Sequence, residues 1–264
     1  MKKIIISIFF ALLIVLSFIY IINSILLKKE AIEESKLLDN INYDEIITNF
    51  SKKEINSNVE KSSVETQPQE TERMLKVKEL KTQNSDIVGW LEIPDTSINY
   101  PVLQGLDNEY YMTHNYKKQK SKNGSIFLSK DYDWELPSSN LLIYGHNLNN
   151  GTMFQELLKY SNKSFFEEHP KIRFTTELDD SEYEIISVFK SRVYYKSEKN
   201  VFRYYFFVNA ETEQEYNDFI YNAKKESLYD IDATAKYGDQ LMTLSTCSYH
   251  VKDGRFAVVA RKIE

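Results

Sequence analysis

Two runs near the end of the chain decide the fold class: Leu241-Met242-Thr243-Leu244-Ser245-Thr246-Cys247 and Arg255-Phe256-Ala257-Val258-Val259. Both are rich in apolar and β-branched residues and have the length of a strand. The polar interval between them ends in Asp253-Gly254, a pair of residues that favours turns. Two such runs joined by a short loop predict adjacent antiparallel strands. That pairing would bring Cys247 and Arg255, eight positions apart, to the same end of a sheet.

Similar short runs precede this pair from about residue 86 onward. They are β-branched and aromatic, and Gly, Pro, Asn, Asp or Ser bounds each one. The predicted strands are 87–93, 98–104, 125–129, 141–144, 171–176, 183–191, 201–208, 240–245 and 255–262. Helical patterns interrupt them at 152–160, 164–168 and 211–227. Because no regular crossover helices separate the strands, we predict a mainly β domain, a mixed β-barrel with inserted helices.

The composition fits such a domain and excludes other classes of protein. The 264 residues are 42% hydrophobic and include 19 Tyr and 15 Phe, enough for a substantial core. The single cysteine excludes an intramolecular disulfide and any multi-cysteine zinc or iron–sulfur site. A net charge of −6 argues against a nucleic-acid binder that depends on a basic surface. We expect neither a metal nor a cofactor.

The N-terminal region carries a membrane signal. Lys2-Lys3 precede the uncharged stretch Ile4–Leu27, whose 24 residues are enough to cross a hydrocarbon core of roughly 30 Å. A cleaved signal peptide, the alternative, would have a shorter apolar region of about 7 to 15 residues and a small-residue cleavage site. We therefore predict a cytoplasmic tail at 1–3 and a single membrane anchor at 4–27. The positive-inside rule allows the N terminus to stay inside and the rest of the chain to be exported.

A polar region separates this anchor from the predicted strands. Residues 28–71 contain no Gly, and their second half is rich in Ser, Asn, Glu and Gln. We predict a stalk or linker over 28–71 and one domain over 72–264. The domain begins with a helix that has Met74, Val77 and Leu80 on one face.

Cys247 is the first candidate for chemistry. It stands at the end of a predicted strand, where a following loop often presents catalytic side chains. The alternative is a buried structural cysteine, because free cysteines are among the most buried residues. The polar neighbours Ser245, Thr246 and Ser248 favour the first interpretation.

Four histidines could act with this thiol: His114, His146, His169 and His250. His114 and His169 lie in polar loop sequences and are predicted at the surface. His250 follows Cys247 by three residues, but no second Cys or His pair completes a zinc site. His146 is the better candidate, since it follows an apolar strand after Gly145, which permits a tight exit, and would stand at the end of that strand.

Arg255 is the third candidate. A guanidinium near a thiol would stabilise a thiolate or a developing oxyanion. The alternative is a surface arginine on a hairpin, which this residue alone does not exclude.

These candidates belong to motifs that resemble those of sortases. The run Thr243–Cys247, with Tyr144–Asn147 upstream and Gly254-Arg255 downstream, is similar to the Cys, His and Arg motifs of that family. Stretches that resemble class B sortases in particular are Val88–Pro94, Ile98–Gln104 and Asp107–Tyr111. The resemblance runs in order from about residue 72 to residue 264. It points to a class B sortase, a cysteine transpeptidase of Gram-positive bacteria.

The resemblance implies a closed barrel of about eight strands, with N-terminal helices and an inserted helix before the cysteine strand. It also implies a mechanism, with Cys247 as nucleophile, His146 as general acid and base, and Arg255 as oxyanion stabiliser. The thiol would cleave an Asn-Pro-x-Thr-Asn/Gly type of sorting motif after Thr. An amine of a cell-wall peptide would then release the thioacyl-enzyme. Surface proteins with sorting signals and the wall amine would be the partners, outside the membrane.

The resemblance further implies a substrate groove. Asn99 and Leu103 lie in the stretch that resembles the groove strand of class B enzymes, and Ser245 and Thr246 lie beside the thiol. Ser248 stands where class B enzymes often have an acidic residue.

Other cysteine enzymes of the cell wall fit the sequence less well. L,D-transpeptidases place an arginine two residues after the cysteine, whereas Arg255 follows Cys247 by eight. Cys/His endopeptidases place the cysteine before the histidine, whereas His146 precedes Cys247. A non-catalytic alternative stays open: an anchored β-domain that acts as an adhesin or assembly scaffold, with Cys247 as a packing residue.

Overall fold

A closed barrel is the centre of the protein. The computed structural model describes residues 2–42, 44–48 and 71–263. Its strands are β1 Ile87–Glu92, β2 Asn99–Leu103, β3 Ile126–Leu128, β4 Asn140–Tyr144, β5 Lys171–Thr175, β6 Asp180–Arg192, β7 Leu241–Cys247 and β8 Gly254–Lys262. Their order around the barrel is β1-β2-β3-β4-β7-β8-β6-β5. The β2–β3 and β4–β7 pairs are parallel and the other pairs antiparallel, which confirms the predicted mixed β-barrel.

Helices precede the first strand of the barrel and lie in the connections between later strands. They are α1 Lys2–Ser35, α2 Glu72–Gln83, α3 Lys163–Glu168 and α4 Glu213–Lys225. Short 3₁₀ helices span Tyr110–Met112, Phe154–Ser161 and Tyr204–Phe206. Residues 44–48 are also helical, and the predicted linker over 49–70 lies outside the described residues. Helix α4 precedes β7 and is the inserted helix that the sequence predicts.

The start of α2 follows from local capping. Thr71 is the N-cap, and its hydroxyl accepts a hydrogen bond from the Met74 amide at 3.2 Å, which satisfies a free donor of the first turn. The predicted face of Met74, Val77 and Leu80 is buried against the barrel.

One predicted strand is wrong. Residues 201–208 form a loop that contains the 3₁₀ helix Tyr204–Phe206, with local hydrogen bonds such as Phe207 N–H to the Tyr204 carbonyl at 3.1 Å. Phe202 and Phe207 of this loop pack on α4, and Phe207 stacks on Phe219 with ring centroids 4.0 Å apart. The aromatic enrichment of this run indicated burial, which the sequence pattern does not distinguish from a strand.

The parallel pairing of β4 and β7 positions the candidate residues. Tyr144 on β4 lies opposite Ser245 on β7, so both strands end at the same rim of the barrel. The chain reaches His146 two residues after Tyr144, and it reaches Cys247 two residues after Ser245. The main core lies below this rim, with Leu142, Leu244 and other residues fully buried.

Helix α1 differs at its two ends. By length and composition it is apolar enough to cross a membrane, and its large apolar side chains from Ile8 to Leu26 are exposed. Its C-terminal end packs on the barrel, where Ala31 and Glu34 are buried and the Glu30 carboxylate accepts a hydrogen bond from Asn115 at 2.9 Å. Glu30 and Ala31 thus contact the domain, and the stalk assignment for 28–71 stays a prediction.

Candidate active site

A cavity of about 200 Å³ opens at the rim where β4 and β7 end and β8 begins. Its walls bring together five of the predicted site residues. Its lining residues are Asn108, Met112, Phe127, Tyr144, Gly145, His146, Ser245, Thr246, Cys247 and Arg255. The cavity therefore combines a thiol, an imidazole and a guanidinium with hydroxyl and amide groups.

The register of β7 and β8 places Cys247 directly opposite Arg255. This confirms the pairing predicted from the interval between the two residues. Cys247 is a free, half-buried thiol, and Arg255 is also half-buried. The Arg255 Nη1 donates to the Gly254 carbonyl at 3.0 Å, so the guanidinium stays close to its own strand.

A tight turn sets that register. The Ser248 amide donates to the Gly254 carbonyl at 2.9 Å, and the Gly254 amide donates to the Val251 carbonyl at 3.1 Å. A Cβ added at Gly254 would lie 2.1 Å from the Ser248 carbonyl oxygen, so only glycine fits. The turn residue thus fixes how Arg255 approaches Cys247.

His146 is held by a different kind of contact. Its Nε2 lies 2.7 Å from the Met112 carbonyl oxygen. Because a backbone carbonyl only accepts, Nε2 carries a proton in this arrangement. Nδ1 is then the ring nitrogen that is available to exchange a proton with a substrate.

The Met112 carbonyl has its own support. It ends the 3₁₀ helix Tyr110–Met112, in which the Tyr111 hydroxyl donates to the Asp86 carboxylate at 2.6 Å. Burial alone would raise the pKa of Asp86, but the hydrogen bonds from Tyr111 and Lys118 hold it below its usual value. The ionised carboxylate therefore fixes the segment that supports His146.

Two side-chain bonds join the end of β7 to the exit of β4. The Thr246 hydroxyl donates to the Gly145 carbonyl at 2.7 Å, and the Asn147 amide donates to the Cys247 carbonyl at 3.0 Å. These contacts keep the segment of His146 close to the segment of the thiol.

Ser245 forms part of the cavity floor. Its Oγ is 2.7 Å from the hydroxyl of Tyr204, a fully buried residue from the loop that precedes α4. Burial raises the pKa of Tyr204, so the phenol stays protonated and can donate to Ser245. Sequence reasoning assigned Tyr204 to a strand and did not find this contact.

Asn99 and Leu103 lie outside the cavity lining. The Asn99 side-chain oxygen Oδ1 accepts a hydrogen bond from the Trp90 indole at 2.5 Å. Leu103 is fully buried in a separate apolar cluster that contains Trp90 and Tyr111. Their assignment to a substrate groove stays a prediction.

The lining adds residues that sequence reasoning missed. Asn108 and Tyr144 lie within stretches that carry the sortase resemblance, so that signal was available. Met112 and Phe127 had no signal of their own. Burial raises the pKa of Tyr144 to about 12, and its hydroxyl is therefore protonated at neutral pH.

The remaining histidines have local partners. His114 stacks on Tyr110, with ring centroids 4.0 Å apart, and His169 Nδ1 lies 3.1 Å from the Pro94 carbonyl. The His250 Nδ1 lies 2.9 Å from the Ser248 hydroxyl. Across residues 2–42, 44–48 and 71–263, no group of three His, Cys, Asp or Glu residues is arranged to hold a metal ion.

The comparisons with known proteins agree with this architecture. A Sortase domain model matches residues 91–263. Sortase B of Listeria monocytogenes serovar 1/2a is 38% identical over 173 residues, which cover 65% of this chain and 66% of that protein, just under two thirds. Sortase B of Staphylococcus aureus is 33% identical over 187 residues, which cover 70% of this chain and 73% of that protein.

A solved structure extends the likeness to the whole fold. The Staphylococcus aureus sortase B–substrate complex has a TM-score of 0.67 and 27% sequence identity, and it covers 90% of this chain and 97% of that one. The family model, the identities and the shared barrel agree with the motifs around Cys247, His146 and Arg255. This chain therefore belongs to the sortase family of cysteine transpeptidases, and the relatives it matches are sortases of class B.

Proposed function

We propose that this protein is a membrane-anchored class B sortase. It cleaves a sorting motif of the Asn-Pro-x-Thr-Asn/Gly type after Thr and joins the substrate protein to an amine of a cell-wall peptide. The observation that carries the proposal is that Cys247, His146 and Arg255 line one cavity. A nucleophile, an acid–base group and a fixed cation in one cavity are the parts that acyl transfer requires.

In this mechanism the Cys247 thiolate attacks the carbonyl carbon of Thr. A C–S bond forms, and the carbonyl electron pair moves to oxygen, where Arg255 stabilises the negative charge. The C–N bond to the next residue then breaks, and protonated His146 gives its Nδ1 proton to the leaving amine. The Met112 carbonyl keeps the other ring proton in place.

Resolution of the thioester reverses these roles. The acceptor amine attacks the thioester carbon while neutral His146 takes a proton from it. Collapse of the intermediate forms an amide and releases the Cys247 thiolate. Each group returns to its starting state, so no cofactor is consumed.

We propose that the cavity also binds the motif. Ser245 and Thr246 lie beside the thiol, and Asn108 and Tyr144 add an amide and a protonated phenol to the lining. A sortase B relative has been solved as a substrate complex with the same barrel, which supports a peptide substrate here. Asn99 and Leu103 stay lower-priority candidates because they lie away from this cavity.

The proposed topology has residues 1–3 in the cytoplasm, 4–27 in the membrane and 72–264 outside, with 28–71 between them. The exposed apolar side chains of α1 support this arrangement. The partners are surface proteins with C-terminal sorting signals and the peptidoglycan amine that accepts them.

The test uses the full chain and its Cys247→Ala variant with quenched peptides. The peptides carry Asn-Pro-x-Thr-Asn, Asn-Pro-x-Thr-Gly or Leu-Pro-x-Thr-Gly, and mass spectrometry locates the cleaved bond. We expect cleavage after Thr in the Asn-Pro peptides, a thioacyl adduct on Cys247, and neither with the variant.

The scaffold alternative predicts the opposite result. No peptide would be cleaved, and Cys247 would resist a small alkylating reagent in the folded protein. Cleavage that persists in Cys247→Ala would also overturn the proposal, because another group would then be the nucleophile.

A further inference from the structure

One loop of the barrel is fixed to the end of the apolar part of α1. We call this segment, residues 113–123, the lysine loop. The Asn123 side-chain amide donates to the Leu27 carbonyl at 2.7 Å, and the Asn115 amide donates to the Glu30 carboxylate at 2.9 Å. Leu27 is the last residue of the uncharged stretch, and Glu30 is about 5 Å further along the helix axis. The loop therefore stands at the level where the helix leaves its apolar region.

The loop is held in one shape by its own hydrogen bonds. His114 and Lys120 form an antiparallel bridge. The Asn115 side-chain oxygen accepts from the backbone amides of Lys117 and Gln119, both at 3.0 Å. The lysine side chains thus extend from a preformed backbone.

The loop concentrates positive charge in a chain whose net charge is −6. Its four lysines are exposed: Lys117, Lys118, Lys120 and Lys122. Lys28, which is also exposed, follows Leu27 directly on α1.

Neighbouring carboxylates neutralise only part of this charge. Asp86 pairs with Lys118 at 2.9 Å, and Glu33 lies 3.7 Å from Lys29 on the same helix. The Glu30 carboxylate is turned toward the loop's amide and hydroxyl groups.

The remaining lysines keep their charge for an outside partner. Lys117 lies over the Tyr116 ring at 5.3 Å, a contact that leaves its charge in place. Lys28, Lys120 and Lys122 form no ion pair within the described part of the chain.

We propose that the lysine loop, together with Lys28, binds the anionic phosphate headgroups of the bilayer that α1 spans. This contact holds the barrel against the membrane surface. The inference rests on the proposed anchoring by α1.

The position of the lysine loop favours lipid headgroups as its partner. The headgroup plane of a bilayer begins where the apolar stretch of a spanning helix ends, and the bonds to Leu27 and Glu30 hold the loop there. Each lysine close to an anionic surface contributes a preference of roughly fivefold. Lys117, Lys120 and Lys122 together should thus raise the preference of the loop for an anionic surface by about a hundredfold.

Binding of the lysine loop to headgroups would also determine where the cavity lies. Met112, whose carbonyl holds His146, directly precedes the lysine loop. A loop bound to headgroups would therefore keep the cavity close to the membrane surface.

The test relies on a chain with one thiol at a chosen position, which is simple to obtain because the sequence has a single cysteine. In a Cys247→Ala background, Gln119→Cys places one probe site among the lysines. The full chain is reconstituted in vesicles of phosphatidylcholine alone or of equal parts phosphatidylcholine and phosphatidylglycerol. A membrane-impermeant fluorophore then labels only the outward-facing chains, and a headgroup spin-labelled lipid serves as quencher.

Two triple variants are compared with this parent. One carries Lys117→Gln, Lys120→Gln and Lys122→Gln and leaves the Lys118–Asp86 ion pair intact. The matched control carries Lys196→Gln, Lys199→Gln and Lys236→Gln at exposed positions far along the chain, with the same change in charge.

We expect stronger quenching in the anionic vesicles for the parent and the control. The lysine-loop variant should show the same weak quenching in both vesicle types. About 1 M salt, where the screening length is about 3 Å, should remove the parent's preference.

Equal quenching of the parent in both vesicle types, with the chain still floating with the vesicles, would overturn this inference and leave the anchoring intact. An equal loss in the control would also overturn it, because net charge alone would then explain the effect. A chain that floats with neither vesicle type would remove the anchoring and this inference together.

Discussion

Two sides of the cavity are built in different ways. Cys247 and Arg255 face each other because β7 and β8 are hydrogen-bonded in a fixed register. The imidazole ring of His146 is oriented by one contact to the Met112 carbonyl, 34 residues earlier in the chain. The first arrangement is specified by neighbouring sequence, and the second depends on how a distant loop packs.

The two arrangements also differ in the number of hydrogen bonds that stabilise them. The β7–β8 ladder joins seven residue pairs, so no single bond decides its register. One hydrogen bond contributes about 1 kcal/mol on balance, and the ring of His146 therefore depends on the segment that holds Met112. A variant that shifts Arg255 against Cys247 should leave the His146–Met112 contact unchanged. A variant that displaces the Met112 carbonyl should leave the pairing of Cys247 with Arg255 unchanged.

The largest effect is expected from Arg255→Ala. Loss of an oxyanion donor should lower the rate of peptide cleavage by about 10²- to 10³-fold. The register should survive, so Cys247 should still react with a small alkylating reagent. Arg261→Ala, on the same strand but paired with Glu184, is the matched control and should retain activity. Near-normal cleavage by Arg255→Ala would exclude the oxyanion role.

Gly254→Ala should distort the end of the β7–β8 ladder that lies next to the turn. Its Cβ would meet the Ser248 carbonyl oxygen at 2.1 Å, so the turn must open and Arg255 must shift against Cys247. We expect cleavage to fall by about 10- to 100-fold and the free energy of unfolding to fall by about 1 to 3 kcal/mol. Steady-state peptide kinetics and urea unfolding measure the two effects.

Gly105→Ala provides the comparison for that variant. A Cβ at Gly105 comes no closer than 3.4 Å to its neighbours, which is close to ordinary contact. If Gly105→Ala were as damaging as Gly254→Ala, the β7–β8 turn would have no special role.

The same contrast explains how much the sequence predicted. The interval between Cys247 and Arg255 was sufficient for their pairing, because a short polar loop between strand-like runs leaves few arrangements. His146 was found from its place after β4, but the Met112 carbonyl was not. A backbone acceptor carries no side-chain signal, and any residue type at position 112 would supply it.

The error in the strand assignment has a related cause. The aromatic run 201–208 was assigned to a strand because burial and strand formation share the same composition. The assignment of Asn99 and Leu103 to the groove rests on the resemblance alone and stays a prediction. The barrel itself was predictable, since its alternating runs and turn residues are local.

Gly124→Ala should disturb only the histidine side. Gly124 has a φ of 60°, which is unfavourable for other residues, and its Cβ would lie 2.7 Å from the Met112 carbonyl oxygen. Displacement of that acceptor should loosen the ring of His146 and lower cleavage by about tenfold. Alkylation of Cys247 should proceed at the parent rate, and a parallel loss of alkylation would show that the two sides are coupled.

The smallest effect is expected from Tyr204→Phe. The substitution removes the hydrogen bond to the Ser245 hydroxyl at 2.7 Å, worth about 1 kcal/mol, or roughly a fivefold change. Ser245 lines the cavity but does not carry the reaction in our proposal, so the change should appear in KM for the peptide and leave kcat nearly intact. Tyr221→Phe, an exposed position on α4, is the control and should change neither value. A loss in kcat instead would mean that a loop residue orients the strand of the nucleophile, and the register of β7 and β8 would then be insufficient to position Cys247.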